Sequence, residues 1–227
     1  MSPVHATHLP WDLQLLNACA ALLLLLSFAM LSQRRIVTLV DLLAVQGALL
    51  TTATVLLAWR SAQPHLYVSA CLTLALKVLF LPWLLHRLIR RLNVYWDSEP
   101  LINPAGTLLL GLLIVVFAFG LAQPVSELAS TTTRSAIGIA VAVILLAFLM
   151  MITRRKAMSQ VVGFLSMENG LFFGAMSATY GMPMVVELGV ALDVLVAVLV
   201  LGVFFFQIRE QFDSLDLHHL ESLKEKP

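Results

Sequence analysis

Seven long apolar runs dominate the sequence, and each is about as long as a helix that crosses a membrane. They span residues 13–32, 36–59, 66–88, 104–123, 135–153, 157–179 and 184–207. A membrane-spanning helix needs about 20 apolar residues, because each residue advances the helix by about 1.5 Å. Only 12% of the residues are charged and the mean hydropathy is +0.93, whereas about a quarter are charged in soluble domains. The sequence therefore predicts an all-α, polytopic membrane bundle of about seven transmembrane helices.

The basic residues predict how this bundle lies in the membrane. If the N-terminus is outside, the inner side receives eleven Lys and Arg residues and the outer side receives only Arg60 and Arg134. The eleven are Arg34, Arg35, Arg87, Arg90, Arg91, Arg154, Arg155, Lys156, Arg209, Lys224 and Lys226. Cytoplasmic loops carry an excess of Lys and Arg. We therefore expect an outer N-terminus and a cytoplasmic C-terminus, with the first run retained because "MSPVHATHLPWDLQ" lacks the basic region of a signal peptide.

Motifs for chemistry on a soluble substrate are missing from the sequence. There is no CxxC, HExxH, glycine-rich phosphate loop or Ser/His/Asp constellation, and Cys19 and Cys71 both lie in apolar runs. We therefore predict that the chain is not an enzyme by itself, has no metal site or cofactor of its own and binds no nucleic acid.

An internal similarity predicts two three-helix repeats joined by one linking helix. Run one ends in "SQRR" and run five in "ITRR", so the arginine pairs are offset by 120 residues. Gln46-Gly47 in run two lies near the place of Asn169-Gly170 in run six. The two units would cross the membrane in the same direction. The competing interpretation is that basic residues follow every second crossing in any membrane protein.

Five ionisable residues lie inside the apolar runs, and three of them lie near the middle. Asp41 and Glu187 are within about 10 Å of a run's end and reach an interface, whereas Lys77, Glu168 and Asp193 do not. Three unpaired charges at that depth would cost on the order of 10 kcal/mol on an insertion scale. Such residues face a bundle interior or a wet cavity, and they commonly mark proton or ion paths.

Two interpretations of the deep residues stay open. In the first, Glu168 and Asp193 exchange protons and Lys77 tunes them electrostatically. In the second, Lys77 forms a structural salt bridge with Glu168 or Asp193 that fixes how the helices pair. A secondary polar path is predicted from Asp41, Glu187, Asn169 and Gln46, and the last two are expected to hydrogen-bond between helices.

The sequence resembles the hydrogenase-4 component E family over nearly its whole length. The resemblance rests on "RRKAMSQVVGFLSMENGLFFGAM", on "GMPMVVELGVALDVLVAVLVLGVFFFQIREQFDSLDLHHLESLK" and on "LKVLFLP". It implies a membrane subunit of a group 4 nickel-iron hydrogenase or formate hydrogenlyase complex in the cytoplasmic (inner) membrane of a bacterium or archaeon. The nickel-iron and iron-sulfur centres would lie in peripheral redox subunits. Antiporter-like and quinone- or arm-anchoring-like membrane subunits, and lipid, would be the other partners.

The C-terminal half also resembles the three-helix K-type subunit of respiratory complex I. This implies an N-terminal four-helix region (1–130), a K-like three-helix region (131–208) and a cytoplasmic tail (209–227). The likeness places Asp193 on that subunit's second membrane glutamate, whereas the first would fall at Leu165 and not at Glu168. A shift of three residues returns to nearly the same helix face, about 4.5 Å along the axis.

The expected function is thus a contribution to a central polar axis for proton or ion translocation, coupled to electron transfer in a peripheral arm. A structural or assembly subunit without proton transfer is one alternative. A subunit of a multi-subunit cation/proton antiporter is the other.

Overall fold

The fold is built from long apolar helices that pack against one another. The structure, a computed structural model, describes residues 10–61, 64–92, 103–126 and 131–179, and positions 188, 189, 191, 192, 194–196, 198 and 202. Its helices are α1 (Trp11–Ser32), α2 (Ile36–Ser61), α3 (Pro64–Thr73), a π-helical segment (Leu74–Phe80), α4 (Leu81–Leu92), α5 (Pro104–Ser126), α6 (Thr131–Thr153) and α7 (Ala157–Thr179). These ranges contain no β-strand, so the prediction of an all-α fold is confirmed.

Six crossings of the membrane follow from these helices. The segments α3, π and α4 run on without a break and form a single crossing, while α1, α2, α5, α6 and α7 form one each. Six of the seven predicted runs therefore coincide with helices long and apolar enough to span a bilayer. In the seventh run the described positions between 188 and 202 are helical. The bounds of that run and the predicted tail lie outside the described residues.

Helices from the two halves of the chain pack directly on each other. Helix α6 packs on α7, α1 contacts both α2 and α6, and α2 contacts α7. The pairs α1–α6 and α2–α7 are those that the predicted repeat treats as equivalent, although the repeat itself stays a prediction. Close packing of α6 on α7 depends on Gly170, where an added Cβ would lie 3.0 Å from Val143 Cγ1 and 3.1 Å from Ile144 Cγ1.

The third crossing is interrupted by the π-helical segment Leu74–Phe80. A π turn contains an extra residue relative to an α turn, and such turns are frequent at functional sites. Here the segment carries Lys77, which is buried. Helix α2 approaches this segment at Gly47, whose added Cβ would meet Lys77 Cβ at 3.0 Å and the Lys77 carbonyl oxygen at 3.2 Å. The backbone of the π segment therefore lies so close to α2 that a side chain at position 47 would require the segment to shift by a few tenths of an ångström.

Candidate functional site

A lysine and a glutamate form an ion pair inside the helix bundle. Lys77 Nζ, from the π segment, lies 3.2 Å from Glu168 Oε1 of α7. Their side chains are only 3% and 2% exposed. Lys77 Nζ also lies 5.5 Å from the centroid of the Phe172 ring, which is within the range of a cation–π contact. The pair therefore joins two crossings through charges that are almost fully enclosed by protein.

A chain of hydrogen bonds connects this pair to two more helices. Lys77 Nζ donates to Asn169 Oδ1 (2.9 Å), and Asn169 Nδ2 donates to Gln46 Oε1 in α2 (3.4 Å). Gln46 Nε2 donates to Ser27 Oγ in α1 (3.0 Å), and the Ser27 hydroxyl donates to the carbonyl of Leu23 (2.9 Å). This confirms the prediction that Asn169 and Gln46 hydrogen-bond between helices. We define Ser27, Gln46, Lys77, Glu168 and Asn169 as the central network.

All the donors in this chain point the same way. Each group donates to the next one farther from Lys77, and the last donor ends on a backbone carbonyl. The amide of Asn169 is thereby held with its oxygen toward the ammonium group, and Gln46 in turn fixes the orientation of Asn169. Because each aligned dipole presents its negative end to Lys77, the chain stabilises a positive charge at that position.

A small cavity adjoins the ion pair. Its volume is about 10 Å³, which is close to the space that one water molecule requires. It is lined by Leu43, Lys77, Leu81, Leu165, Glu168 and Asn169. Leu165 and Glu168 therefore face the same space, as expected for positions three residues apart on a helix. The acid at Glu168 thus lies on the face of α7 where the K-type pattern would place its own acid.

Asp41 belongs to a different site. Its carboxylate is 61% exposed and lies 3.2 Å from Nε2 of His86 in α4. The Nδ1 atom of the same ring lies 2.8 Å from the carbonyl of Pro82. Since both ring nitrogens face oxygen atoms, the His86–Asp41 pair is strongest when the ring carries both protons. No contact places Asp41 in the central network within the described part of the chain.

The structure thus brings together four of the predicted site residues: Lys77, Glu168, Asn169 and Gln46. Glu187 and Asp193 lie outside the described residues. Ser27 and His86 were missed by the sequence analysis. Ser27 is a small hydroxyl in an apolar run, and nothing in its neighbourhood distinguishes it from a serine that hydrogen-bonds to its own helix. No cluster of three or more His, Cys, Asp or Glu side chains suited to a metal ion occurs among the described positions.

Six helices able to cross a membrane, with a buried lysine–glutamate pair between two of them, define a multi-pass integral membrane protein with ionisable groups in its interior. Comparison with known proteins narrows this class. The chain is 27% identical over 210 residues to hydrogenase-4 component E of Escherichia coli strain K12, which covers 92% of this chain and 97% of that protein. The chain belongs to the hydrogenase-4 component E family, so the resemblance noted in its sequence is confirmed.

Other comparisons add one relative and two negative results. The chain is 38% identical over 212 residues to an uncharacterized protein of Mycobacterium tuberculosis, which covers 93% of this chain and 96% of that protein. No protein-family model matches the chain. No solved structure matches it either. The likeness to the K-type subunit stays a prediction.

Proposed function

We propose that this chain is an inner-membrane subunit of a hydrogenase-type oxidoreductase complex, and that its Lys77–Glu168 pair takes part in proton translocation. The chain would itself be non-catalytic, with electron transfer in peripheral subunits and further membrane subunits beside it. The E. coli relative is by name a component of a hydrogenase, which is the basis for the first part. The second part rests on one observation, the enclosed ion pair between the third crossing and α7.

The burial of this pair argues for a role in charge movement. Each membrane charge costs about 2.5–3.5 kcal/mol on the insertion scale, and a well-packed apolar pair would avoid that cost while holding the helices together. The attraction between a carboxyl group and a neighbouring cation depends on whether the carboxyl group carries a proton. When Glu168 is ionised it is attracted to Lys77, and when it takes up a proton that attraction is lost. A change in the occupancy of one proton thereby alters the contact between two crossings.

The residues around Glu168 would have different roles in proton transfer. Side-chain amides do not ionise, so Asn169 and Gln46 would position Lys77 and would not themselves carry the proton. The cavity beside Glu168 has room for one water molecule that could deliver it. Thr73, one helical turn from Lys77 toward the predicted outer side, is fully buried and its hydroxyl has no hydrogen-bond partner among the described residues. It is the next polar group along that crossing.

The test is Glu168→Gln in inverted membrane vesicles that contain the complete complex. Glutamine keeps the size of the side chain but cannot ionise, so we expect proton uptake driven by a low-potential electron donor to fall at least about tenfold while the complex still assembles. Asp12→Asn is the matched control. It also neutralises the acid of an interhelical ion pair, Asp12–Arg60 at 2.8 Å, but far from the central network. Unchanged proton uptake in Glu168→Gln would refute the proposal.

A structural role for the same pair is favoured by its direct contact and predicts a different result. If Lys77 and Glu168 only align two crossings, Lys77→Glu combined with Glu168→Lys restores the contact and should restore full activity. If the carboxylate must exchange protons from α7, the swapped protein assembles but does not translocate them.

Purification of the intact complex distinguishes a hydrogenase-type subunit from a subunit of a cation/proton antiporter. A nickel-iron large subunit would co-purify only in a hydrogenase-type assembly.

A further inference from the structure

A basic cavity lies at the end of the third crossing, away from the central network. Its volume is about 350 Å³, and it is lined by Trp83, His86, Arg87, Arg90 and Arg91. Ligand pockets in proteins span about 300–1,000 Å³, so the space is large enough for a small polar group. We call Arg87, Arg90 and Arg91 the cavity arginines. They lie in the last turns of α4, at the end predicted to face the cytoplasm.

The cavity carries a concentrated positive charge. The cavity arginines are exposed, and none of them forms an ion pair with a carboxylate in the parts of the chain that the structure describes. The nearby acid Asp41 is engaged by His86. Charges needed only to orient a crossing need not share a cavity, whereas these three arginines line the same one. Arginine is suited to such a site because its planar group binds phosphate oxygens in a bidentate manner.

The same face of the helix becomes apolar toward the middle of the membrane. Arg87 Cζ lies 5.4 Å from the centroid of the Trp83 ring, and the Trp83 and Phe80 rings are 6.4 Å apart. Leu79 continues the exposed stripe and is 64% exposed. From Leu79 to Arg90 the stripe is about 16 Å long. Along this length the surface changes from aliphatic to aromatic to cationic, which is the order of an acyl chain, a glycerol region and a phosphate in one lipid leaflet.

We propose that this cavity binds the headgroup of an anionic phospholipid, with the phosphate on the cavity arginines and an acyl chain along Leu79 and Phe80. An acidic segment of a protein would account for the arginines but not for the apolar continuation at depth. Basic pockets at the cytoplasmic ends of crossings do bind acidic lipids in other membrane proteins. The proposal is independent of the role of the central network.

Trp83 provides a probe for the test in the full-length chain. With Trp11, Trp59 and Trp96 changed to Phe, Trp83 is the remaining tryptophan. Its fluorescence is measured in vesicles of phosphatidylcholine in which part of the lipid is replaced by brominated phosphatidylglycerol or, separately, by brominated phosphatidylcholine. Bromine quenches tryptophan on contact. We expect brominated phosphatidylglycerol to bind near Trp83 at least about fivefold better than brominated phosphatidylcholine. Equal quenching by the two lipids would overturn the proposal.

Two variants distinguish binding in this cavity from a general attraction of acidic lipid to the basic surface. Changing all three cavity arginines to Gln should abolish the preference. The control changes Arg34, Arg35 and Lys156 to Gln, which removes the same charge from the same predicted side but outside the cavity, and it should keep the preference. An equal loss in the control would show that diffuse surface charge is responsible. Displacement of the lipid by excess soluble glycerophosphate would show that the site binds a free phosphate compound, which also overturns the proposal.

A second measurement avoids the tryptophan substitutions. Native mass spectrometry of the unaltered chain and of the purified complex should show a bound acidic lipid that is missing from the triple arginine variant. If the complex retains no acidic lipid although the isolated chain does, a partner subunit occupies or closes the cavity in the assembly, and the proposal is overturned for the assembled protein.

Discussion

Removal of Lys77 should destabilise the protein more than removal of any exposed charge. In Lys77→Met the methionine fills most of the space of the lysine, but Glu168 stays enclosed and loses its cationic partner at 3.2 Å. Breaking one side of a buried ion pair costs about 3–5 kcal/mol, because the remaining charge is left in a medium that solvates it poorly. Asn169 also loses the ammonium donor at 2.9 Å. We therefore expect the free energy of unfolding to fall by about 3–5 kcal/mol.

Three companion variants complete the comparison. Glu168→Gln keeps a polar oxygen near Lys77, so we expect a loss of only about 1–3 kcal/mol. The double variant, Lys77→Met with Glu168→Gln, leaves neither charged partner of the pair in place. Its loss in the free energy of unfolding should therefore be smaller than the sum of the two single losses by at least about 1 kcal/mol. Asp12→Asn breaks an ion pair that is shorter, at 2.8 Å, but its arginine is 46% exposed. We expect that substitution to cost about 1 kcal/mol or less.

The assay is reversible unfolding of the purified chain in mixed micelles of detergent and denaturing detergent, followed by circular dichroism. The four variants and the unaltered protein are measured at the same pH and micelle composition. Burial, and not the distance between the charged atoms, determines the predicted order. If Lys77→Met costs no more than Asp12→Asn, or if the single costs simply add, the two charges are not coupled and the reasoning is refuted.

Two further substitutions test the packing around the central network and at the end of α1. Gly47→Ala places a Cβ 3.0–3.3 Å from three atoms of Lys77, two of them backbone atoms. We expect the free energy of unfolding to fall by about 1–3 kcal/mol and proton uptake to decrease. The control is Gly120→Ala, where an added Cβ meets nothing within 4 Å, and it should be neutral in both measurements. Arg154→Met removes a buried guanidinium that donates to the carbonyls of Leu31 (3.0 Å) and Gln33 at the end of α1. We expect it to lower the free energy of unfolding by about 2–4 kcal/mol in the same assay. Arg155→Met, at the exposed neighbouring position, should lower it by less than about 1 kcal/mol. Equal effects of the two arginine substitutions would contradict the role assigned to Arg154.

The crossings were predictable from the sequence because their signal is long and physically simple. Hydrocarbon requires about 20 apolar residues per helix, and the described helices begin and end within a few residues of the predicted runs. What lies inside a crossing was not predictable in the same way. Local composition does not show that residues 74–80 form a π segment, or that this segment lies against α2 at Gly47.

The candidate site was predictable only in its charged members. Lys77 and Glu168 are conspicuous because charge is rare in apolar runs, and one of the two partners proposed for Lys77 is the one it contacts. Ser27 became part of the network only through a contact with Gln46 across 19 residues of sequence. The sequence places Arg154 among the basic residues of the inner side, but its side chain is buried against the end of α1. Such roles depend on distances between helices, which a single sequence does not specify.

The π segment also has a consequence for how relatives should be aligned. One additional residue in a turn rotates everything after it by about 100° around the helix axis. Without that rotation, the residues that follow the segment, the exposed Trp83 among them, would be turned by about 100° relative to the residues that precede it. A relative whose third crossing is regular α-helix should therefore be one residue shorter between Thr73 and Leu81. An alignment that forbids a gap there would match buried residues with lipid-facing ones.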